Sequence, residues 1–291
     1  MRYLSVCSGI EAASVAWEPL GWQPVGFSEI DPFPSAVLAH RFHEVTNHGD
    51  FTKIQPTDVG HVDLLVGGTP CQSFSIAGKR LGLDDPRGHL ALEYLALAQR
   101  LKTRWLVWEN VPGVLSHDKG RTFGTFVGLL GQCGFGWSYR VLDARNFGVA
   151  QSRRRVILVG HRGDWRRAAA VLFEPSSDSG ADPACATELG GLGGVLPCLT
   201  KHGYGATRSE EAYILCESTG RIRRMTPIEC ERAQGFPDNW TQVPYRGKPK
   251  ERCPLGPRGA ACGNSMAVPV MRWLGKRIAA VDAIEGAGNG H

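Results

Sequence analysis

The stretch around which this chain is organised reads Asp63-Leu64-Leu65-Val66-Gly67-Gly68-Thr69-Pro70-Cys71-Gln72. Its leucines and valine form a short apolar run, which is typical of a buried strand. The two glycines end the strand and let the backbone approach a ligand closely, while Pro70 stiffens the turn. Cys71 is therefore expected at the carboxyl end of a strand, where open α/β sheets bind their ligands. Taken alone, this thiol fits a nucleophile and a small buried hydrophobe equally well.

A second apolar run favours the nucleophile. Residues 105–108 read Trp-Leu-Val-Trp and are followed at once by Glu109-Asn110-Val111. Because the carboxyl ends of parallel strands meet at one edge of a sheet, the acid and the thiol are expected to share one pocket.

Strands alternate with helical patterns over the first 160 residues. The patterns predict strands at 2–6, 24–30, 63–66, 105–109, 138–143 and 156–160, and helices at 10–18, 32–42, 88–101 and 121–133. Such alternation is typical of an α/β fold with a mostly parallel, doubly wound sheet that is covered by helices on both faces.

The composition changes after about residue 174, where glycines and prolines occur without clear periodicity. Residues 175–262 are predicted to form a small, loop-rich domain, with a disordered linker as the alternative interpretation. A strand candidate at 213–216, a helix from Thr226 to about Gly235 and a surface loop at 244–263 are expected inside it. Ser265 is expected to cap a last helix, so residues 263–291 would complete the large domain formed by residues 1–174.

Charge and cysteine content exclude several classes of protein. With 33 Lys and Arg against 28 Asp and Glu, the net charge is +5, which permits a polyanionic partner without requiring one. Nine cysteines without paired C-x-x-C spacing argue against a zinc module and a disulfide framework, and they indicate a reducing, cytoplasmic compartment. No apolar run approaches the roughly 18 residues of a membrane span, and Glu11 interrupts any signal-peptide pattern.

The amino-terminal end carries features of a cofactor site. Ser8-Gly9-Ile10 leads from the first predicted strand into a helix, Glu29 closes the second strand, and Asp50-Phe51 could bind a purine ring. The first turn has one glycine and not a G-x-G-x-x-G run, which favours a nucleoside-type cofactor over a dinucleotide.

Together these stretches resemble the DNA cytosine carbon-5 methyltransferases. Residues 70–72 and 109–111 look like the active site of that family, and further motifs follow in the family's order at residues 151–155, 224–238 and 263–269. The pattern is most similar to the compact solitary enzymes of phages and prophages. It implies a Rossmann-like S-adenosylmethionine-dependent methyltransferase fold with a small target-recognition domain, a monomer that acts on double-stranded DNA, and no metal.

The resemblance also implies a set of cofactor-binding residues. These are Ser8, Gly9, Ile10, Glu29, Ile30, Asp50, Phe51, Pro70, Leu90, Asn264 and Ser265. Three positions depart from the family pattern. Cys7 stands where Phe is usual, Glu11 stands where a second Gly is usual, and Ile30 stands where Trp is frequent. Two aromatic side chains that would face the adenine are therefore missing, and weaker cofactor binding is expected.

The implied chemistry is covalent catalysis. Cys71 would attack carbon 6 of a flipped cytosine, Glu109 would bond ring nitrogen 3, and Arg153 and Arg155 would favour the thiolate and hold the base. A loop from Ser73 to Gly88 would close over the base. The implied DNA contacts are Ser75, Lys79, Arg80, Arg87, Gln151 and Arg154.

Other classes compete with this interpretation. An RNA cytosine methyltransferase that modifies transfer RNA would use the same chemistry, and a degenerate DNA-binding member would have lost Cys71 or Glu109, which are both present. A cysteine hydrolase would need a histidine beside Cys71, and neither His89 nor His117 is placed there by the sequence.

Overall fold

A computed structural model describes residues 1–69, 90–174, 213–216 and 221–288. Within the last two of these segments, side chains are described for residues 223–284 only. Among these residues, six strands form one sheet in the order β2-β1-β3-β4-β6-β5. The strands are β1 (Arg2–Val6), β2 (Gln23–Ser28), β3 (Leu64–Gly67), β4 (Trp105–Asn110), β5 (Phe135–Asp143) and β6 (Arg154–Arg162). The β1–β2, β1–β3 and β3–β4 pairs are parallel and the two pairs made by β6 are antiparallel, so the predicted mostly parallel α/β sheet is confirmed.

Helices cover both faces of the sheet. In the described residues they are α1 (Ala12–Trp17), α2 (Pro32–Arg41), α3 (Pro56–Val59), α4 (Leu90–Arg100), α5 (Arg121–Gln132), α6 (Trp165–Leu172), α7 (Pro227–Gln234), α8 (Leu255–Asn264) and α9 (Val268–Gly288). A separate antiparallel hairpin consists of β7 (Tyr213–Cys216) and β8 (Arg221–Arg224). None of the described helices is long and apolar enough to cross a membrane.

Alternating side chains of the central strands supply two hydrophobic cores. Leu64 and Val66 of β3 lie in one cluster with residues of α1, α6 and α9. Leu65, the residue between them, lies in the other cluster with residues of α4 and α5. Because successive strand residues point to opposite faces, one apolar run fills both cores, and this fixes the carboxyl end of β3 rigidly between its neighbours.

The structure corrects three features of the predicted carboxyl-terminal half. Residues 255–264 form α8 inside the predicted surface loop, α6 and β8 were not predicted, and the last helix begins at Val268. Ser265 is the C-cap of α8 and does not cap α9. Helix α8 is rich in glycine, but Arg258, Ala261 and Cys262 are buried against its neighbours, so tertiary packing overrides weak helix propensity.

The segment from Met225 to Cys262 packs into the large core. Met225, Cys230, Phe236, Val243 and Cys262 belong to the same cluster as residues of α9 and α1. The predicted domain boundaries at 174 and 263 stay a prediction, and this shared core leads us to propose that the recognition segment ends near residue 224. Residues 70–89, which contain the predicted lid, and most of 175–220 lie outside the described residues.

Candidate active site

Glu109 and Arg155 form an ion pair at the edge of the sheet. Glu109 lies near the end of β4, opposite Ile157 of the antiparallel strand β6, and Arg155 lies two residues before Ile157. Arg155 Nε donates to Glu109 Oε1 at 3.1 Å, and the two side chains are only 16% and 14% exposed. A carboxylate and a guanidinium that are largely removed from water interact strongly, so Glu109 has a fixed orientation.

The end of β3 lies directly against this pair. A Cβ placed on Gly68 would be 3.2 Å from Glu109 Oε2 and 3.2 Å from Glu109 O. Next to it, Trp108 Nε1 donates to Thr69 Oγ1 at 2.9 Å and Asn110 Nδ2 donates to Thr69 O at 3.0 Å. Both β4 side chains therefore hold the backbone that leads toward Cys71.

Pro70 and Cys71 lie outside the described residues, as do Ser75, Lys79, Arg80 and Arg87. Covalent geometry limits the distance between the Cα atoms of residues 68 and 71 to roughly 11 Å. A thiol within that reach of Gly68 remains the prediction made from the sequence.

A small cavity, partly open to solvent, lies beside the ion pair. Its polar wall is formed by Glu109, Arg153 and Arg155, and its apolar wall is formed by Leu142, Ala144, Ile157, Met266, Ala267, Val270 and Met271. An apolar cavity with a few convergent polar groups is typical of a small-ligand site.

Arg153 has a different environment from Arg155. Its side chain is 3% exposed and donates to Ser265 O at 2.8 Å and to Gly263 O at 3.2 Å. These bonds fix the junction between α8 and α9, whose residues Met266 and Ala267 line the cavity. Arg153 thus shapes the cavity wall, and its proposed catalytic part stays a prediction.

Gln151, which the sequence predicts as a DNA contact, lies inside the protein. Its side chain is fully buried, and Nε2 donates to Ala233 O of α7 at 2.9 Å. This amide bonds the backbone of a packed helix, and its assignment as a DNA contact stays a prediction. Arg154 is exposed, and its assignment as a DNA contact stays a prediction.

The predicted cofactor turn follows β1. Ser8 N donates to Ser28 O at 3.1 Å, and Gly9 N donates to Glu29 Oε2 at 2.8 Å. Glu29 Oε1 also accepts from Asp31 N at 2.7 Å. The turn and the end of β2 therefore meet around one carboxylate, which is the arrangement expected for a ribose-binding acid.

Residues near Glu29 fit a nucleoside-type ligand. Ile30 is an unusually exposed aliphatic side chain, at 78%, next to the Glu29 carboxylate. Asp50 Oδ1 accepts from Thr52 N and Thr52 Oγ1. Partial burial opposes ionisation of Asp50, but these bonds and the charge of Lys53 together hold its pKa below the ordinary value. An anionic acid and an exposed apolar surface are suitable for a purine nucleoside, and S-adenosylmethionine contains one.

The residues of the predicted cofactor set differ in burial, and their part in cofactor binding stays a prediction. Ile10 is fully buried and Phe51 is 4% exposed, so both side chains are core residues. Leu90 and Ser8 are half-buried, whereas Asn264 is exposed. Ser265 is buried, and its carbonyl accepts from Arg153.

The residues that depart from the family pattern have local physical explanations. Cys7 and Glu11 have φ of 49° and 63°, in the left-handed region that favours glycine. Glu11 is buried, its carboxylate accepts from Ser14 N and Ser14 Oγ, and burial raises its pKa despite those bonds. Burial and the nearby Glu29 raise the pKa of the Cys7 thiol to about 12. Cys7 therefore stays protonated at neutral pH and is a poor nucleophile.

Sequence reasoning missed two contributors to the site, whereas Met266, which lines the cavity, belongs to the motif predicted at 263–269. Tyr94 OH shares its hydrogen between Val107 O at 2.8 Å and Leu65 O at 3.1 Å, which joins β3 to β4. Trp240 Nε1 donates to Ile10 O at 2.8 Å. These contacts join residues far apart in the chain, and no local pattern in the sequence indicates them.

Comparisons with known proteins identify the family and the fold. A family model described as "C-5 cytosine-specific DNA methylase" matches residues 1–183 and 197–280. A "Type II methyltransferase M.NgoBI" of Neisseria gonorrhoeae is 31% identical over 301 residues, with coverage of 93% of this chain and 90% of that protein. A "DNA N-6-adenine-methyltransferase" of Escherichia phage P1 is 32% identical over 458 residues, with coverage of 95% of this chain and 61% of that protein.

Further relatives are larger than this chain. An "Orphan methyltransferase M.Rho11sI" of Bacillus phage rho11s is 39% identical over 168 residues, which are 56% of this chain and 33% of that protein. The chain thus matches between one third and about 60% of the length of these phage relatives.

Solved structures share the fold. The Dnmt2 methyltransferase of S. pombe superposes with a TM-score of 0.72 at 18% identity, covering 99% of both chains. A putative DNA modification methyltransferase encoded within an E. coli prophage gives a TM-score of 0.65 at 17% identity, covering 97% of this chain and 99% of that one. At such low identity, these likenesses show the fold alone.

Proposed function

This chain belongs to the C-5 cytosine-specific DNA methylase family, and from that premise we propose that it methylates carbon-5 of cytosine in double-stranded DNA. S-adenosylmethionine, bound where the Ser8–Ile10 turn meets the Glu29 carboxylate, supplies the methyl group. We further propose that the enzyme is a monomer and that it works in the cytoplasm of a bacterium or of a phage host.

One observation carries the proposal most directly. The Glu109–Arg155 ion pair, the backbone of Gly68 and the apolar cavity wall meet at one place. Arg155 holds Glu109 Oε1, so Glu109 Oε2 is the oxygen that lies toward Gly68 and the segment leading to Cys71. A pyrimidine placed in this cavity would have a carboxyl group at one edge and would be approached by the thiol from the β3 side.

In the proposed reaction the Cys71 thiolate adds to carbon 6 of the cytosine, and a carbon–sulfur bond forms. The electron pair of the ring double bond makes carbon 5 nucleophilic enough to take the methyl group. Loss of the carbon-5 proton to a base then expels the sulfur and restores the ring. The Glu109 carboxyl group shares a proton with ring nitrogen 3, and the Arg155 guanidinium offsets the negative charge that develops on the ring during attack.

The target base must leave the duplex for this chemistry, because carbon 6 is inaccessible inside the base stack. Unstacking one base costs roughly a few kcal/mol. Arg154, next to Arg155, is exposed, and in this proposal it contacts the phosphate backbone outside the cavity. Phosphate contacts of this kind hold the protein in register without reading sequence.

Transfer RNA is the second substrate that the chemistry allows. The Dnmt2 likeness shows the fold alone and does not favour RNA over DNA, whereas the description of the matching family model names DNA. The printed name of the phage P1 relative concerns adenine, so an assay has to resolve the methylated base as well as the nucleic acid.

The test is methyl transfer from labelled S-adenosylmethionine to duplex DNA and to transfer RNA, followed by identification of the methylated nucleoside. We expect 5-methylcytosine in duplex DNA. Cys71→Ser is expected to abolish transfer, and Glu109→Gln is expected to lower it by about 10²–10³-fold because charge stabilisation is lost. Cys133→Ser, which changes a half-buried thiol away from the cavity, is the matched control and should retain activity.

Duplexes that contain 5-fluorocytosine test the covalent step separately. The fluorine cannot leave as a proton, so wild-type protein and cofactor should give a stable adduct that survives denaturing electrophoresis. An adduct formed by Cys71→Ser would show that another residue is the nucleophile. Methylation confined to adenine or to transfer RNA would overturn the proposed substrate.

A further inference from the structure

The turn that follows β1 is held in an unfavourable backbone conformation. Cys7, Gly9 and Glu11 have φ of 49°, 57° and 63°, so three alternating residues are left-handed and two of them carry a Cβ. Such conformations are sparsely populated and persist only where the surrounding structure imposes them. The contacts that hold this turn therefore decide the position of its backbone groups.

Most of those contacts come from nearby strands. Ser8 N bonds Ser28 O, Gly9 N bonds Glu29 Oε2, and the Glu11 carboxylate accepts from Ser14. One contact comes from a distant part of the chain. Ile10 O accepts from Trp240 Nε1 at 2.8 Å, across 230 residues.

Trp240 is itself firmly placed. Its ring stacks on Phe236 with centroids 5.8 Å apart and meets Phe42 edge-on at 5.8 Å. The Arg41 guanidinium lies 4.9 Å from the centroid of the Trp240 ring. Arg41 also donates to Trp240 O at 2.9 Å and to Asn239 O at 2.6 Å. The stacking and the cation–π contact orient the indole ring, and the two hydrogen bonds fix the backbone that carries it.

The next residue is anchored in a buried polar network. Thr241 N and Thr241 Oγ1 donate to Glu231 Oε1, and Arg258 Nη2 donates to the same oxygen at 3.0 Å. Glu231 and Thr241 are fully buried, and Arg258 is 5% exposed. The loop after α7 is thus fixed to α7 and α8 on one side and to the cofactor turn on the other.

We propose that Trp240 is a positioning residue for cofactor binding, an inference that rests on the cofactor site of the proposed function. Its indole N–H holds the Ile10 carbonyl and so fixes the strained turn whose Gly9 N–H bonds Glu29. Through this bond the segment that follows the recognition region keeps the cofactor site in its binding geometry. Loss of the bond should weaken cofactor binding and leave DNA binding unchanged.

Trp240→Phe tests this directly, because phenylalanine keeps an aromatic ring for Phe236, Phe42 and Arg41 but has no N–H donor. Trp165→Phe, the same chemical change at a side chain that is 56% exposed on α6, is the matched control. Titration calorimetry measures binding of S-adenosylmethionine and of the product S-adenosylhomocysteine to the full chain. Fluorescence anisotropy measures binding of duplex DNA without cofactor, and thermal melts report folding.

We expect Trp240→Phe to raise both cofactor dissociation constants by about three- to tenfold, as for one neutral hydrogen bond. Trp165→Phe should leave them unchanged, and neither variant should change DNA affinity. Cofactor affinities of Trp240→Phe equal to wild type would overturn the inference, as would weaker DNA binding alone or a lower melting temperature with unchanged cofactor affinity. Failure of the wild-type chain to bind either cofactor form would instead overturn the proposed function.

Discussion

At the scale of single residues, Gly68 lies against the Glu109 carboxyl group from the end of β3. A Cβ there would be 3.2 Å from the Glu109 backbone oxygen, 3.2 Å from Glu109 Oε2 and 3.5 Å from Met266 Cε. The two 3.2 Å distances are tighter than ordinary contacts, so the carboxylate and the β4 backbone have to shift by a few tenths of an ångström. Arg155 opposes that movement because it holds the other carboxylate oxygen.

Gly68→Ala is therefore expected to lower methyl transfer by about 10–100-fold through misplacement of Glu109, while the fold is retained. Steady-state rates with duplex DNA measure the effect. Gly128→Ala is the control, because Gly128 is an exposed position of α5 and a Cβ there meets nothing within 4 Å. That variant should keep full activity and gain about 0.5–1 kcal/mol of stability from improved helix propensity. Unchanged activity of Gly68→Ala would show that the Glu109 position does not limit the reaction.

At the scale of elements, helix α7 begins with a capping box that an ion pair reinforces. Glu229 N donates to Thr226 Oγ1, and Glu229 Oε2 accepts from Thr226 N at 2.7 Å. Arg223 of β8 donates to both carboxylate oxygens, at 2.8 and 2.7 Å. The Arg223 bonds, with those of Thr226, lower the pKa of Glu229 from its ordinary 4.5 to about 2. The hairpin strand and the helix are thus joined by one carboxylate.

Because its pKa is depressed in the folded protein, ionised Glu229 stabilises the fold above about pH 4.5, and this contribution is lost as the pH falls toward 2. Glu229→Gln keeps the capping box and removes the charge. We expect it to lower the free energy of unfolding at pH 7 by about 0.5–1 kcal/mol, since Arg223 is 44% exposed and solvent screens its interaction with the half-buried Glu229. Urea titrations at several pH values should show this difference shrinking below pH 4.5. A pH-independent difference would contradict the assignment, and exposed Glu251→Gln controls for overall charge.

At the scale of the whole molecule, a buried ion pair joins the carboxyl-terminal elements. Arg258 of α8 and Glu231 of α7 are 6% and 0% exposed, and both bond Thr241. The same loop carries Trp240, which contacts the cofactor turn at the other end of the chain. The pair is therefore expected to stabilise the fold and the cofactor site together.

Removal of one partner leaves an uncompensated buried charge, so Arg258→Leu is expected to destabilise the protein by about 3–5 kcal/mol. Chemical denaturation measures this loss. The double variant Glu231→Leu/Arg258→Leu should recover part of it, because both charges are then absent. Arg232→Leu breaks the exposed Arg232–Asp238 pair and should cost less than about 1 kcal/mol. Equal effects of Arg258→Leu and Arg232→Leu would show that burial does not govern this pair.

The strands and the acid at the end of β4 could be predicted because their signals are local. An apolar run at 64–66 and another at 105–108 specify buried parallel strands, and Glu109 follows the second at once. The N-terminus of α7 was predictable for the same reason, since a hydroxyl cap, a proline and a glutamate lie within four residues. Helix α8 was not predictable, because its glycines argue against a helix. Its stability comes from the neighbouring elements that bury Arg258 and Cys262.

By itself the sequence determined the family motifs, the alternation of strands and helices, and the presence of a thiol and an acid after two neighbouring strands. Only the tertiary structure decided that Arg155 bonds Glu109, that Arg153 and Gln151 are buried, and that Trp240 reaches the cofactor turn. The physical reason is the separation along the sequence over which each kind of interaction acts. Hydrophobic periodicity and caps act over a few residues, whereas these bonds join residues 46 to 230 positions apart whose approach depends on how the whole chain packs.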